Sequence, residues 1–598
     1  MKKKIIIEMV KFHSSVVVFI LGALFISGCK GTSAAGEGSS TIAEGNSGQV
    51  EDDFVMPVVT SKSNEQLDGQ VKTTKEVPVC DNPDMLRVSG SRVVDGNGKD
   101  VVLRGVAFGN NVWNDEEVPL LHHNETDFEN LAQMGMNAVR FYLNYKTFED
   151  DKAPGKYKDS GWKWMDDNVA WAKKHGIYLI LNMHVPQGGY QSLGEGKALW
   201  DDPSAQERLI NLWSAIAKRY KNESIVAGYD FLNEPVVSRS RSQWHELAGR
   251  LVSEVRKVDP YHIFFIERIN GVEGDWNEDS ARNFFLVDDP NIVYEFHFYK
   301  PFHFTHQGAP WVDFAALDTS WPDESRVGIE WFLTKWETAT FSNPVLKEGD
   351  SDWAFYEGVP YLVPDDKKVI GKPTLACSAN EGKAFFDDVV LEEVDENGKV
   401  VNTLRTINLT TKRGWYFWNP GNKGEAAEET GGHGDDSALS MSKNVSDSNL
   451  GAEIFQVKLE KGKRYRISGW MKGENIGANT KCQIRLDISS AKVPLHKWDK
   501  AFLEQELNAY LAWGKKHDVP LFLGEFGTIT ASFKEGRGGE KWVADMLDLL
   551  MKSNINWTYH AYHEDAFSLY GDPSRLPNDD TANKPLILEL KKALTGKQ

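Results

Sequence analysis

The chain has 598 residues, a formal net charge of -19 and an isoelectric point near 5.4. That acidic balance argues against a polyanionic partner such as nucleic acid, and the length exceeds one hydrophobic core and suggests roughly two to four units. The 20 tryptophans fit either large cores or platforms whose indole faces stack on the C–H faces of sugar rings, and composition alone does not decide between them.

The N-terminus carries basic residues (Lys2, Lys3, Lys4 and Lys11) and then a mostly apolar stretch from Ser14 to Ile26. This stretch is too short for an ordinary transmembrane span and suits the core of a signal peptide. It ends Ile26-Ser27-Gly28-Cys29, which resembles the bacterial lipobox. The resemblance implies a lipoprotein signal peptide over 1–28, with Cys29 lipidated after cleavage. The product would be exported, membrane-anchored and facing the periplasm or cell surface. A plain secretory signal that happens to contain Cys29 stays open as the alternative. Residues 29–78 are rich in Gly, Ser, Thr, Glu and Asp, and read as a disordered tether. Beyond Cys29 there are Cys80, Cys377 and Cys482, an odd number that leaves one thiol unpaired. Cys377 and Cys482 lie in one candidate domain and could pair, a matter of geometry that sequence does not fix. No CxxC or HExxH pattern occurs, so neither a metal nor another cofactor is expected.

From Leu86 onward RVVDGNGKDVVLRGV predicts a hairpin around the DGNG turn. NAVRFYL (137–143) predicts a strand. A helix follows, with Met165, Val169 and Ala172 on one stripe and Gly176 as C-cap. Strands and helices then alternate: IYLILNMH (177–184), a helix over 205–220, IVAGYDFLNEP (225–235), a helix over 242–258, HIFFIE (262–267) and IVYEFHFY (292–299). The rhythm resumes near Trp498 with a helix, VPLFLGEFG, a second helix and INWTYHAY. Counting VVLRGV, eight apolar strands alternate with helices, which favours a closed α/β barrel of parallel strands. Between about 345 and 492 the helical stripes give way to short alternating runs separated by Gly, Asn and Asp, among them FFDDVVLEEV, GWYFWN and KRYRISGWM. These predict an all-β sandwich inserted in a barrel loop. The barrel would then occupy 79–344 and 493–598.

Two of the strands end in glutamate: Asn233-Glu234-Pro235 closes one, and Glu525 stands between Gly524 and Phe526 in the other. Placing an ionised carboxylate at the end of a buried run costs desolvation, so the position implies a use. Two carboxyls on barrel strands are what cleavage of a glycosidic bond needs, one as acid/base and one as nucleophile.

Taken together and in order, these motifs resemble glycoside hydrolase family 5, the cellulase-like retaining β-glycosidases of clan A, over roughly 86–340 and 493–598. Arg140 in AVRFYL, His184 in LILNMH, Asn233 and Glu234 in NEP, His297 and Tyr299 in EFHFY, and Glu525 in GEFG stand at positions that family uses. The resemblance implies a (β/α)8 TIM barrel with Glu234 as acid/base and Glu525 as nucleophile. Arg140 would lower the pKa of Glu525, and Asn233 would bond the sugar 2-hydroxyl. Tyr299 would hold Glu525, and His184 and His297 would bind hydroxyls or orient Glu234. The implied activity is hydrolysis of a β-linked polysaccharide, foremost a β-glucan. A β-mannan, a host glycan or a glycolipid, or a non-catalytic carbohydrate-binding lipoprotein, remain alternatives. His560 stands where the family usually places a Trp under the scissile sugar, and Trp557 would face another way. The loops 184–200 and 299–311 would wall the cleft, with His122, His123, Trp200 and Trp311 as sugar contacts. The insert resembles jelly-roll carbohydrate-binding modules with a permuted strand order. Trp415, Tyr416, Trp418 and Trp470 are its candidate platforms or its core, and the alternating strand around Trp470 favours the core for that residue.

Overall fold

The computed structural model describes residues 76–596, apart from 79, 115, 193–195, 273–274, 277–282, 313–318, 329–333, 365, 367–368, 379–380, 408, 410–415, 420–423, 435–436, 444–448, 454–455 and 492–495. The signal segment, Cys29 and Trp415 lie outside the described residues.

Eight parallel strands close on themselves: β1 Arg104–Phe108, β2 Ala138–Asn144, β3 Tyr178–Val185, β4 Val226–Asp230, β5 Ile263–Glu267, β6 Ile292–Phe298, β7 Leu521–Phe526 and β8 Asn556–Tyr559. Each pairs with its neighbours in sequence, and β8 pairs with β1. Every residue of β2 is buried, because a barrel strand faces helices on one side and the barrel interior on the other. Alternate residues therefore divide the work. Val139, Phe141 and Leu143 pack outward in one core with Met165, Val169 and Ala172, which form the inner stripe of the helix α1, Asp159–His175. Gly176 ends that helix in the left-handed conformation, φ 68°, which a residue without Cβ adopts freely.

The inward set changes character along the barrel axis. Its lower layer is apolar: Ala138, Ile180, Ala227, Ile263, Phe265, Val293 and Phe522 pack together. Leu86, Val88 and Val93 join that cluster. They come from the hairpin Arg87–Ser89 and Arg92–Val94, which plugs the N-terminal end of the barrel. Two residues further along four of these strands, toward the C-terminal mouth, the same faces carry Arg140, Asn182, Glu267 and Glu295, all fully buried.

The β-sandwich lies between β6 and the helix α2, Lys500–His517. One sheet contains Thr334–Ala339, Ile370–Ser378, Asn449–Glu453 and Lys481–Ala491, and the other Gly349–Tyr356, Lys383–Val394, Ser437–Lys443 and Arg464–Ile476. The sheets thus take in strands before residue 345. The chain enters through Asp323–Gly328 and leaves through His496–Trp498, which pair antiparallel with each other. Cys377 and Cys482 stand opposite each other on adjacent strands and are joined as a disulfide, and Cys80 is free.

Candidate active site

The C-terminal mouth is organised around one guanidinium. Arg140 on β2 is completely buried, and it survives burial because four carboxylate or amide oxygens meet it. Nε donates to Asp230 Oδ2 at 2.8 Å and lies 3.0 Å from Glu295 Oε1, Nη1 donates to Glu525 Oε1 at 2.7 Å, and Nη2 donates to Asn233 Oδ1 at 2.9 Å. The last contact fixes the Asn233 amide so that its NH2 points away from Arg140, toward Ser192 Oγ at 3.2 Å.

Glu525 on β7 is held at both oxygens. Oε1 also accepts from Tyr142 Oη at 2.6 Å, and Oε2 accepts from Tyr299 Oη at 2.8 Å. Burial pushes its pKa up, but the positive charges of His297, His560 and Arg140 outweigh burial and hold it well below the usual carboxylate range. Glu525 is therefore held ionised and immobile.

Glu234 follows β4 in the left-handed region, φ 45°, and its side chain is the more open of the two. Its Oε1 meets His297 Nδ1 at 2.8 Å. An oxygen of Glu234, a nitrogen of His297 and an oxygen of Glu525 all lie within 4.8 Å of one another. His297 is buried, which disfavours its charge. The carboxylates of Glu267 and Glu525 and the bonds to Glu234 and Glu295 reverse this and raise its pKa well above the ordinary imidazole value.

Beneath this pair lie two acids that sequence reasoning missed. Glu295 on β6 is two residues before His297 and points the same way, with Oε1 at 3.5 Å from His297 Nε2. Glu267 ends β5, where Oε2 accepts the backbone N–H of Glu234 at 2.6 Å and Oε1 accepts from Asn270 Nδ2 at 2.5 Å. Burial raises both, Glu267 to about 7 and Glu295 well above the usual range. The available signal was alternation: an acid two positions ahead of a strand-end histidine shares its face. Donor atoms of Glu267, Glu295 and His297 also lie within 4.8 Å of one another. A metal ion would compete there with the protein's own cation, since Arg140 already lies against Glu295 and Glu525.

The other candidates separate into two groups. His184 stacks on Tyr142 at 3.9 Å between ring centroids, and burial holds its pKa well below normal. His560 reaches Tyr142 Oη with Nδ1 at 3.0 Å and lies 3.5 Å from Glu564 through Nε2, so it does line the site where Trp557 does not. Trp557 is fully buried in the outer core. Trp311 is 51% exposed and stands 6.3 Å from Phe567, whose ring is 5.7 Å from His560. Trp113, which sequence reasoning missed on its loop, is 44% exposed and 6.0 Å from His184. Trp200, by contrast, is not a sugar contact. It is buried in the barrel core, donates to Gln191 Oε1 at 2.9 Å and packs edge-on against Trp244. His122 and His123 are also buried, bonded to each other and packed on Phe108.

In the sandwich, Trp470 lies on the outer face with His433 stacked on it at 3.4 Å, opposite exposed Phe355 and near Trp353. Trp418 is half-buried in the strand Tyr416–Trp418, which pairs with Asn449–Glu453 so that Trp418 faces Gly451.

Two carboxyls facing each other at the mouth of an eight-stranded barrel, one clamped as an anion and the other set on an imidazole, define a site of the glycosidase type. Residues 94–363 match the family described as Cellulase (glycosyl hydrolase family 5). Endoglucanase C of Acetivibrio thermocellus is 35% identical over 191 residues, covering 32% of this chain and 54% of that protein. β-Xylosidase of Phanerodontia chrysosporium is 28% identical over 269 residues, covering 38% of this chain and 54% of that one. Cellodextrinase A of Ruminococcus flavefaciens is 28% identical over 191 residues, covering 31% and 54%. The chain spans about half the length of the curated relatives it matches.

Proposed function

We propose that this protein is a retaining β-glycosidase that hydrolyses a β-linked polysaccharide, most directly a β-glucan, by double displacement. The observation that carries the reading is the spacing of the catalytic pair. Oxygens of Glu234 and Glu525 lie within 4.8 Å, which suits carboxyl groups about 5–5.5 Å apart in retaining enzymes rather than the wider gap that admits a water in inverting ones.

In the first step Glu525 attacks the anomeric carbon while Glu234 gives its proton to the departing oxygen. In the second, Glu234 takes a proton from water, and that water displaces Glu525 from the sugar. The NH2 of Asn233, turned outward by Arg140, is placed to meet the sugar 2-hydroxyl. Tyr299 and Tyr142 receive the charge of Glu525 again as it leaves. Trp113 is exposed beside His184, and Trp311 is exposed beyond Phe567, whose ring lies against His560, which supports binding of several sugar units across the pair. The outer face bearing Trp353, Phe355 and Trp470 supports a glycan-binding role for the sandwich. The lipobox-like segment supports an anchor at Cys29 and an exported, membrane-attached protein.

The test is a hydrolysis panel on protein starting at residue 79: cellulose, mixed-linkage β-glucan, β-1,3-glucan, xyloglucan, mannan and aryl β-glycosides, with Glu525→Ala as control. Proton NMR of the first-formed product should show the β-anomer. An α-anomer would exclude double displacement, and silence on every substrate would exclude the activity. For the anchor, labelled fatty acid should be incorporated by the full-length chain and not by its Cys29→Ser variant.

A further inference from the structure

The catalytic pair sits on a cluster richer in acid than the reaction requires. Five carboxyl groups, those of Asp230, Glu234, Glu267, Glu295 and Glu525, converge around Arg140 and His297. Full ionisation of all five would leave buried negative charge unpaired, so protons are retained within the group. Glu267 is the member that touches the acid/base on two routes. Its Oε2 takes the backbone N–H of Glu234 at 2.6 Å, holding that residue in its left-handed conformation. Its Oε1 lies 3.6 Å from His297 Nδ1, the nitrogen that meets the Glu234 carboxyl at 2.8 Å.

We propose that Glu267 is a positioning residue for the acid/base: it fixes the backbone of Glu234 and, across His297, exchanges with Glu234 the proton used in catalysis. Before the first step, His297 Nδ1 can give its proton to ionised Glu234 and take a replacement from Glu267, which loads the acid; once Glu234 has protonated the leaving group it stays ionised, ready to act as base. No net proton is consumed, because the attacking water returns one in the second step. The Glu267 carboxyl titrating near 7 supports such an exchange. The charged and titratable groups around it are Arg140 from β2, Asp230 and Glu234 from β4 and the turn after it, Glu295 and His297 from β6, Tyr299 beyond β6, and Glu525 from β7. This inference rests on the glycosidase reading.

Glu267→Gln is close to isosteric. Its carbonyl can keep the Glu234 N–H, and its NH2 can face Asn270, whose own Oδ1 has no hydrogen-bond partner among the described residues and could turn to accept. The variant removes only the exchangeable proton and the charge. The readout is kcat/KM against pH on two aryl glycosides, one with a poor leaving group (phenyl) and one with a good leaving group (2,4-dinitrophenyl). The ratio of the second to the first is expected to rise about tenfold, because general-acid assistance contributes at least that much to a poor leaving group. The basic limb is expected to move to lower pH, because the negative charge that helped Glu234 keep its proton is gone. Asn270→Ala removes the amide that stabilises ionised Glu267 and should move the basic limb the same way, independently of how Glu267→Gln folds. An equal loss on both substrates with an unmoved basic limb in the variants would overturn the proposal and leave Glu267 a structural residue. Absence of hydrolysis by the parent protein would instead overturn the glycosidase reading itself.

Discussion

Glu525 makes the sharpest demand on a single residue. Three donors and three imidazoles surround one carboxylate, and the balance keeps it ionised. Glu525→Ala should lose turnover by several orders of magnitude yet bind substrate, and added azide should restore release of an activated leaving group by taking the vacated place, yielding the α-glycosyl azide. Recovery of a β-azide would contradict the nucleophile assignment. Tyr299→Phe removes one donor to Oε2 and should lower kcat roughly a hundredfold, within the range seen for a single donor to a developing charge. The same charges appear as stability. Glu525 has a folded pKa below its unfolded value of about 4.5, so its contribution is present above that pH and is lost as the pH falls further. Glu267 has the opposite sign. Its folded value near 7 exceeds the unfolded 4.5, so the folded state binds the extra proton and loses relative stability as the pH rises from 4.5 to 7. Glu267→Gln should therefore melt above the parent at pH 8 by a margin that shrinks toward pH 5. Melting curves at the two values decide it.

At the scale of the element, the barrel strands work by alternation: each interior face runs from an apolar floor to a charged mouth. Ile180, Asn182 and His184 show it on β3, and Val293, Glu295 and His297 on β6. Gly524 on β7 is required by this arrangement, because a Cβ there would fall 1.7 Å from Glu295 Oε1. Gly524→Ala should cost about 1–3 kcal/mol by overpacking and should disturb activity as well, since the Glu295 oxygen it displaces lies against Arg140 and His297. Thermal unfolding and kcat on one glycoside check both. The eight strands and the meeting of Glu234 with Glu525 were legible in sequence because each strand is a short apolar run and each glutamate ends one. Glu267 and Glu295 were hidden by the same rule. They sit inside runs that read as uniformly buried, and burial says nothing about which face a residue occupies until one neighbour's direction is known. Trp200 was misplaced for a related reason. It lies on the short helix Lys197–Asp201, whose orientation depends on packing against Trp244 far along the chain.

Over the whole molecule, two cores share no residue: one surrounds the barrel and the other fills the sandwich. The chain passes between them through one antiparallel pair, in which Gly328 stands opposite His496. Residues that face each other across such a pair lie about 5 Å apart, so a two-residue hairpin turn such as Asn-Gly can replace residues 329–495 without pulling the neck apart. The barrel should then fold alone. It keeps its core, its plug and every residue of the catalytic cluster, while the Cys377–Cys482 disulfide leaves with the sandwich. Closing a loop of 105 residues is worth roughly 4–5 kcal/mol in the chain-entropy account, so in the parent protein a reductant should lower the sandwich transition and leave the barrel transition in place. With the outer aromatic face removed, the shortened enzyme should keep its kcat/KM on aryl β-glycosides within about twofold and lose most of its activity on insoluble polymer, where local concentration at the surface governs the rate. Equal losses on both substrates would mean that the sandwich supports the barrel mouth. Unchanged action on polymer would mean that the face bearing Trp353, Phe355 and Trp470 serves something other than the substrate.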